Sequence, residues 1–262
     1  MARKDFDTAG EGPWSGSVEG LVLGIALLIL ASACGTSGAS GARYDVEWFD
    51  TTEAAPATRA ALEQELSQPW PDAVDVQPAA TDADRMPTTL ESCNDYLALA
   101  DSRVRPIESG NTFAIFQGRA VYCQAVTLTL AAQPAAISYL RPFAFDEGLP
   151  DRLPWQVAMI VSSSEAQRIA DERPDATWRQ ALFGPLTEFS SCGTHCGRYA
   201  DPGAEQWMRL LARGDFDGDG IEDMLLSSSD AAIGGSYRAT RMFVLTRRQP
   251  DGKVELIREL DY

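Results

Sequence analysis

The chain has 262 residues, of which 45% are hydrophobic and 23% charged, so it can bury a core and is not a wholly disordered polymer. Its 38 acidic and 22 basic residues give a net charge of −16, which repels nucleic-acid phosphates and anionic lipid surfaces. No basic patch with interleaved aromatic residues occurs in the sequence, so nucleic acid is not expected as a partner.

The first element in chain order is an apolar run at 21–33 that ends directly before Cys34. It is shorter than the roughly 20 residues of a transmembrane helix and fits the central region of a secretory signal. The sequence LASAC at 30–34 resembles the lipobox of bacterial lipoproteins. The resemblance implies that 1–33 is a cleaved signal peptide and that Cys34 is acylated. The lipid would anchor the mature chain in the cell envelope, facing the periplasm or the outside. The alternatives are an uncleaved membrane anchor and a short buried helix.

The five cysteines agree with export, because acylation of Cys34 leaves an even number for disulfides in an oxidising compartment. Four cysteines allow three pairings. We expect Cys93–Cys123 and Cys192–Cys196, because the last two residues are close enough in sequence to close a small loop.

Residues 34–87 are predicted to form a flexible tether and an extended arm with one short helix. Small polar residues at 35–43 are typical of a tether, and residues 57–67 are good helix formers that follow a proline. Further prolines interrupt regular patterns, so a domain boundary is expected near Pro87. The arm is expected to touch the domain through aromatic residues, namely Trp48, Phe49 and Trp70.

Residues 88–262 are predicted to form a single α+β domain. Thr88 or Thr89 is expected to cap a helix, and helices are also expected at 164–172 and 178–183. Alternating bulky residues predict strands at 112–117, 120–130, 137–145 and 155–161.

The C-terminal stretch at 207–260 has the clearest pattern, which is that of a small antiparallel meander. Pro250, Asp251 and Gly252 predict a hairpin turn between its last two strands. The strands themselves are predicted at 207–212, 223–226, 237–246 and 253–260.

The loop at 215–223 reads DFDGDGIED and carries the strongest chemical signal in the sequence. Calcium takes about six to eight oxygen ligands, and alternate carboxylates can converge where glycines let the backbone curl around an ion. The calcium-loop template gives five ligands, with Ile221 acting through its backbone carbonyl: Asp215, Asp217, Asp219, Ile221 and Asp223. Leu226 stands where an EF-hand has its bidentate glutamate, so the loop is not a standard EF-hand.

The longer segment RGDFDGDGIEDMLL at 213–226 is similar to the calcium loops of FG-GAP and VCBS-type repeats. The resemblance implies a loop that joins two strands, with Ca2+ stabilising the hairpin. The motif occurs once in the sequence, so a propeller of repeats is not predicted. The alternative interpretation is an acidic surface turn held by Asx hydrogen bonds.

The other candidate sites are weaker. His195 is the only histidine, and its position in CGTHC at 192–196 favours a disulfide with an exposed histidine over a zinc site or a Cys–His nucleophile. No Gly-x-Ser-x-Gly motif occurs, which disfavours a serine hydrolase.

We therefore expect an exported, lipid-anchored envelope protein, stabilised by Ca2+ and disulfides, that acts as a binding or structural module. Its expected partners are the membrane, reached through the lipid, and a protein of the envelope. Two alternatives stay open, an envelope hydrolase that uses acidic residues and an immunity or inhibitor protein for a basic partner.

Overall fold

The structure is a computed structural model that describes residues 43–49, 58–78, 86–99, 104–107, 111–182 and 184–260. The predicted signal peptide and Cys34 lie outside the described residues. Within these ranges, no helix combines the length and the hydrophobicity that a membrane crossing requires.

The strands build two antiparallel sheets in an α+β domain. In chain order they are β1 Glu47–Trp48, β2 Val74–Pro78, β3 Thr88–Leu90, β4 Val104–Pro106, β5 Glu188–Ser191, β6 Cys196–Ala200, β7 Ala204–Gly214, β8 Asp223–Ala232, β9 Arg238–Thr246 and β10 Glu255–Leu260. The larger sheet has the order β10-β9-β8-β7-β6-β5, and β1 pairs with the end of β7; the smaller sheet has the order β3-β2-β4. The predicted C-terminal meander is confirmed, and it is larger than the sequence indicated because β5 and β6 also belong to it.

The central strands of the larger sheet are apolar on both faces, because both faces are covered. In β8, Met224 and Leu226 point into one core cluster, while Leu225 between them points into a second cluster on the opposite face. A strand covered on both sides reads as an apolar run instead of a simple alternation. In β7, a register shift between Leu210 and Ala212 explains why the alternation there is imperfect.

Four of the helices begin at polar capping residues. Thr58, Ser92, Ser162 and Thr177 each accept a hydrogen bond from the backbone N–H three residues later. The helices are α1 Arg59–Ser67, α2 Cys93–Leu97, α3 Asn111–Ala131, α4 Leu149–Arg152, α5 Ser163–Glu172 and α6 Trp178–Ala181, with a 3₁₀ turn at Trp155–Val157. The predicted helices at 57–67, 164–172 and 178–183 are therefore confirmed to within two residues.

The predicted strands at 112–117 and 120–130 are wrong, because both segments lie in α3. This helix contacts two cores at once: Val121 and Val126 face the larger sheet, and Phe116 and Cys123 face the smaller one. A helix buried on two sides lacks a single apolar stripe. Its aromatic and β-branched residues then match a strand pattern, although tertiary packing selects the helix.

Three other predictions along the chain also differ from the structure. Thr88 starts β3 instead of capping a helix, and Ser92 caps α2. The expected strand at 155–161 contains the 3₁₀ turn. The expected strand at 137–145 is irregular chain in which only Ile137 forms a bridge, to Ile221.

Strands on both sides of the expected boundary at Pro87 pair in the smaller sheet, since β2 pairs with β3 and β4. The described parts of 34–87 are packed against the rest of the domain. Trp48 and Phe49 are buried, and Trp70 lies under the guanidinium of Arg119, whose carbon is 5.0 Å from the ring centre.

Both expected disulfides are formed. Cys93–Cys123 ties α2 to α3, and Cys192–Cys196 closes the hairpin between β5 and β6. Disulfides persist in oxidising compartments, so they indicate a location outside a reducing cytoplasm.

Removal of the Cys93–Cys123 disulfide is expected to destabilise the chain more than removal of the other one. The first joins residues 30 apart and the second residues 4 apart. Loop-closure entropy then gives roughly 3.5 kcal/mol for the longer loop and roughly 2 kcal/mol for the shorter. Urea unfolding of the two double-alanine variants measures both losses. Equal losses would contradict the assignment of the first disulfide as the main covalent staple.

Candidate metal centre

The loop between β7 and β8 brings three of its aspartates together. One carboxylate oxygen from each of Asp215, Asp217 and Asp223 lies within 4.8 Å of the other two. The curl that achieves this passes through Gly218 and Gly220, whose φ angles are +84° and +82°. Side chains other than glycine rarely adopt this conformation, so both glycines are needed for the carboxylates to converge.

Backbone N–H groups hold the buried carboxylates in position before any ion arrives. The Asp215 carboxylate accepts the N–H of Gly218 at 2.6 Å and that of Gly220 at 2.9 Å. Asp223 accepts the N–H of Phe216 at 2.9 Å through its Oδ2 atom. Such preorganisation lowers the conformational entropy that a ligand would otherwise have to offset on binding.

The second oxygen of Asp223 is the unusual feature of the site. Asp223 is fully buried, and its Oδ1 has no hydrogen-bond partner. The Thr246 side chain lies opposite Asp223 in the register of β8 and β9 and lowers the pKa of this carboxyl, but its hydroxyl is not in hydrogen-bonding geometry with Oδ1. A buried carboxylate oxygen without a hydrogen bond is costly, so Oδ1 can take a ligand.

The electrostatics of the loop agree with that conclusion. The pKa of the Asp223 carboxyl is raised to about 6, chiefly by burial and to a smaller extent by the charges of Asp217 and Asp219, while Thr246 and the Phe216 N–H act to lower it. Among the residues that the structure describes, no lysine or arginine lies within 4.0 Å of Asp215 or Asp223. The group of three carboxylates can hold a metal ion.

The remaining two predicted ligands are placed differently. Asp219 is not among the three converging residues; its carboxylate accepts the N–H of Ile221 at 2.8 Å and also bonds Arg248. The Nη2 of Arg248 also lies 3.0 Å from Asp217. Metal ligation by Asp219 and by the Ile221 carbonyl stays a prediction.

A buried ion-pair network is centred on Glu222 of the loop, and it was not anticipated from the sequence. Glu222 is fully buried; its carboxylate accepts from the Arg141 guanidinium at 2.6 Å and from the Ser138 hydroxyl at 2.6 Å. Arg213 lies 3.6 Å away on the other side. Hydrogen bonding to Glu222 raises the pKa of Arg141, and burial lowers that of Arg213.

The segment that follows α3 fixes the position of the loop. Gln133 and Asp215 exchange two backbone hydrogen bonds of 3.0 and 2.8 Å, and the Glu222 N–H donates to the Ile137 carbonyl at 2.7 Å. Of the segment expected to be a strand at 137–145, Ile137 alone bonds the loop through its backbone among the described residues. One signal in the sequence indicated the buried ion pair of Glu222, which was the excess of carboxylates within the nine residues of the loop.

The weaker sequence candidates do not form sites of their own. Cys192 and Cys196 are joined to each other, so they are not zinc ligands or nucleophiles. His195 was expected to be exposed but is half-buried, with its ring centre 4.1 Å from that of Phe49. Burial lowers the pKa of this histidine.

Comparison of the chain with known protein families, with curated proteins and with solved structures gave no match.

Proposed function

We propose that this chain is an exported, lipid-anchored envelope protein whose C-terminal sheet is stabilised by Ca2+, and that it works as a binding or structural module. The observation that carries the calcium assignment is the buried Asp223 carboxylate, which has one oxygen without a partner and lies beside the carboxylates of Asp215 and Asp217. The metal would join β7 and β8 at the end where the loop connects them.

Calcium fits this set of donors better than other common ions. All three converging atoms are carboxylate oxygens, which suit hard cations and not the nitrogen and sulfur preferences of zinc. Calcium also accepts irregular geometry and completes its shell with carbonyl and water oxygens, whereas magnesium demands a near-ideal octahedron.

The proposal is tested by thermal unfolding with calcium and with EGTA. Bound calcium should raise the melting temperature, with a stabilisation of about 2.7 kcal/mol at a hundredfold excess over its dissociation constant. Magnesium at the same concentration serves as the control and should give a smaller rise. Identical melting curves in calcium and in EGTA would remove the metal from the proposal.

Arg248 is expected to compete with the ion, because its guanidinium lies against Asp217 and Asp219. In Arg248→Gln this internal cation is lost, and the affinity for calcium should rise about threefold, as for other exposed ion pairs. The matched control is Arg258→Gln, which removes the same charge from an exposed position on β10. Calcium titration by calorimetry measures both variants, and an unchanged or weaker affinity in Arg248→Gln would show that the arginine is no competitor.

The lipid anchor is proposed from the lipobox-like residues before Cys34. In a bacterial host, the wild-type chain should incorporate a labelled palmitate analogue and sediment with membranes, because anchoring by more than one acyl chain is stable. Cys34→Ala should lose the label. The Cys192→Ala variant, which leaves the lipobox intact, should keep it; label retained in Cys34→Ala would contradict this assignment.

A binding or structural role is preferred over catalysis because the acidic residues that line one cleft of the domain have cationic partners. A cleft beside α6 contains three carboxylates, and each lies near a basic side chain: Asp151 with Arg179 at 2.8 Å, Asp175 with Lys253 at 3.6 Å, and Glu255 with Arg248 at 3.8 Å. A pair of free carboxylates, which acid–base hydrolysis needs, is not found among the described lining residues of this cleft.

A further inference from the structure

The same cleft has the size and composition of a small-molecule site. It has a volume of about 520 Å³ and lies between the chain around α4 and α6 and the turn that joins β9 to β10. Ligand sites commonly have volumes of roughly 300–1,000 Å³, with apolar walls and a few polar groups that orient the ligand.

Arg247 is the polar group that distinguishes this cleft. Its guanidinium makes a single hydrogen bond to the described residues, from Nη1 to the Tyr139 carbonyl at 3.2 Å, and its Nε is buried without a partner. No carboxylate of the described chain lies within 4.0 Å of it. In a protein with 38 acidic and 22 basic residues, a half-buried arginine left without a carboxylate indicates that an anion from outside can take that place.

Gln156 also lines the cleft, but its Oε1 atom is buried without a hydrogen-bond partner, so a ligand in the cleft cannot reach it. The other cations of the lining have carboxylate partners, Arg152 with Asp146 and Lys253 with Asp175. Arg247 is therefore the described lining cation that can bind an anion.

One part of the cleft wall is apolar. Leu153 and Val254 are buried, and Leu256 is half-buried. All three belong to or pack against the main hydrophobic cluster, so the wall is rigid. A ligand with an apolar body could rest on it without displacing charged groups.

We propose that this cleft binds a small carboxylate that carries an apolar side chain, which is the chemistry found in an N-acyl amino acid and in a peptide C-terminus. The Arg247 guanidinium donates to the carboxylate. The side chain lies against Leu153, Val254 and Leu256. This inference does not depend on calcium or on the lipid anchor.

The first test compares N-acetyl-leucine with N-acetyl-leucinamide on the full chain by calorimetry. The two probes differ only in the carboxylate, and loss of a charge-assisted hydrogen bond should weaken binding about tenfold or more. A longer probe, acetyl-Ala-Ala-Leu, separates the two sources: tighter binding than N-acetyl-leucine indicates a peptide end, and equal binding indicates the free acyl amino acid. Equal binding of acid and amide, or no binding of any probe, would overturn the proposal.

The second test changes the protein. Arg247→Gln should weaken the binding of N-acetyl-leucine about tenfold while leaving the binding of the amide unaffected. Arg258→Gln is the control for net charge and should bind as the wild type does. If Arg247→Gln does not fold, as judged by its melting curve, the acid–amide comparison on the wild-type chain decides the question by itself.

Discussion

Calcium is expected to raise the melting temperature of the wild-type chain by about 10 °C at a thousandfold excess over its dissociation constant, and to leave that of Asp223→Asn unchanged. The size follows from a stabilisation of about 4 kcal/mol at that excess, with roughly 2–4 °C for each kcal/mol in a domain of this size. Differential scanning calorimetry in calcium and in EGTA measures both chains.

Relative to the wild type, Asp223→Asn should change the stability of the chain in opposite directions in EGTA and in calcium. Without metal, wild-type Asp223 holds a buried oxygen without a partner, near the charges of Asp217 and Asp219. Asparagine has the same shape and no charge, so metal-free Asp223→Asn should be at least as stable as the metal-free wild type. With calcium, Asp223→Asn lacks the Asp223 carboxylate as a ligand, so the ion should not raise its stability.

Asp251→Asn is the matched control, because it removes one carboxylate from the exposed turn between β9 and β10. It should keep the full calcium response. If Asp223→Asn also kept that response, or if it unfolded more easily than the wild type in EGTA, Asp223 would be a structural residue and not a metal ligand.

Arg241→Met is expected to destabilise the chain by about 3–5 kcal/mol, because it leaves the buried carboxylate of Asp230 without its cation. The Nε of Arg241 lies 2.8 Å from Asp230, whose side chain is fully buried. The same guanidinium donates to three successive carbonyls, those of Gln156, Val157 and Ala158. It therefore attaches the 3₁₀ turn to the larger sheet.

A second substitution separates the loss of the ion pair from the loss of packing. In Arg241→Met with Asp230→Asn no buried charge remains, so the double variant should recover part of the lost stability. The 3₁₀ turn stays attached in this double variant, because the Gln206 side-chain amide still donates to the Val157 carbonyl, 3.1 Å away. Guanidinium unfolding measures the variants; a double variant less stable than Arg241→Met alone would show that charge pairing is not the main contribution of Arg241.

The parts of the fold that were predictable are those with a local signal. The C-terminal strands, the capped helices α1, α5 and α6, and the aspartate–glycine loop each have their pattern within about ten residues of sequence. Turn and capping chemistry act over that range. The convergence of Asp215, Asp217 and Asp223 could be predicted because spacing and glycine conformation act locally. The same reasoning also placed Asp219 among the ligands, and Asp219 is not one of the three converging residues.

The parts that were not predictable depend on distant partners. Helix α3 resembles strands in sequence because it packs on two cores. The sequence of residues 111–131 does not reveal either core, because the partner residues come from other segments of the chain. Glu222 is buried because Arg141 and Ser138 approach it from more than 80 positions earlier. The unsatisfied groups of Arg247 and Gln156 likewise become apparent only when two distant segments form a cleft.

Equilibrium dialysis with calcium tests the claim about the loop most directly. The account predicts one tightly held ion for each wild-type chain and none for Asp223→Asn, because the oxygen that lacks a partner belongs to this residue. Bound calcium in the variant equal to that in the wild type, or none in either chain, would contradict it.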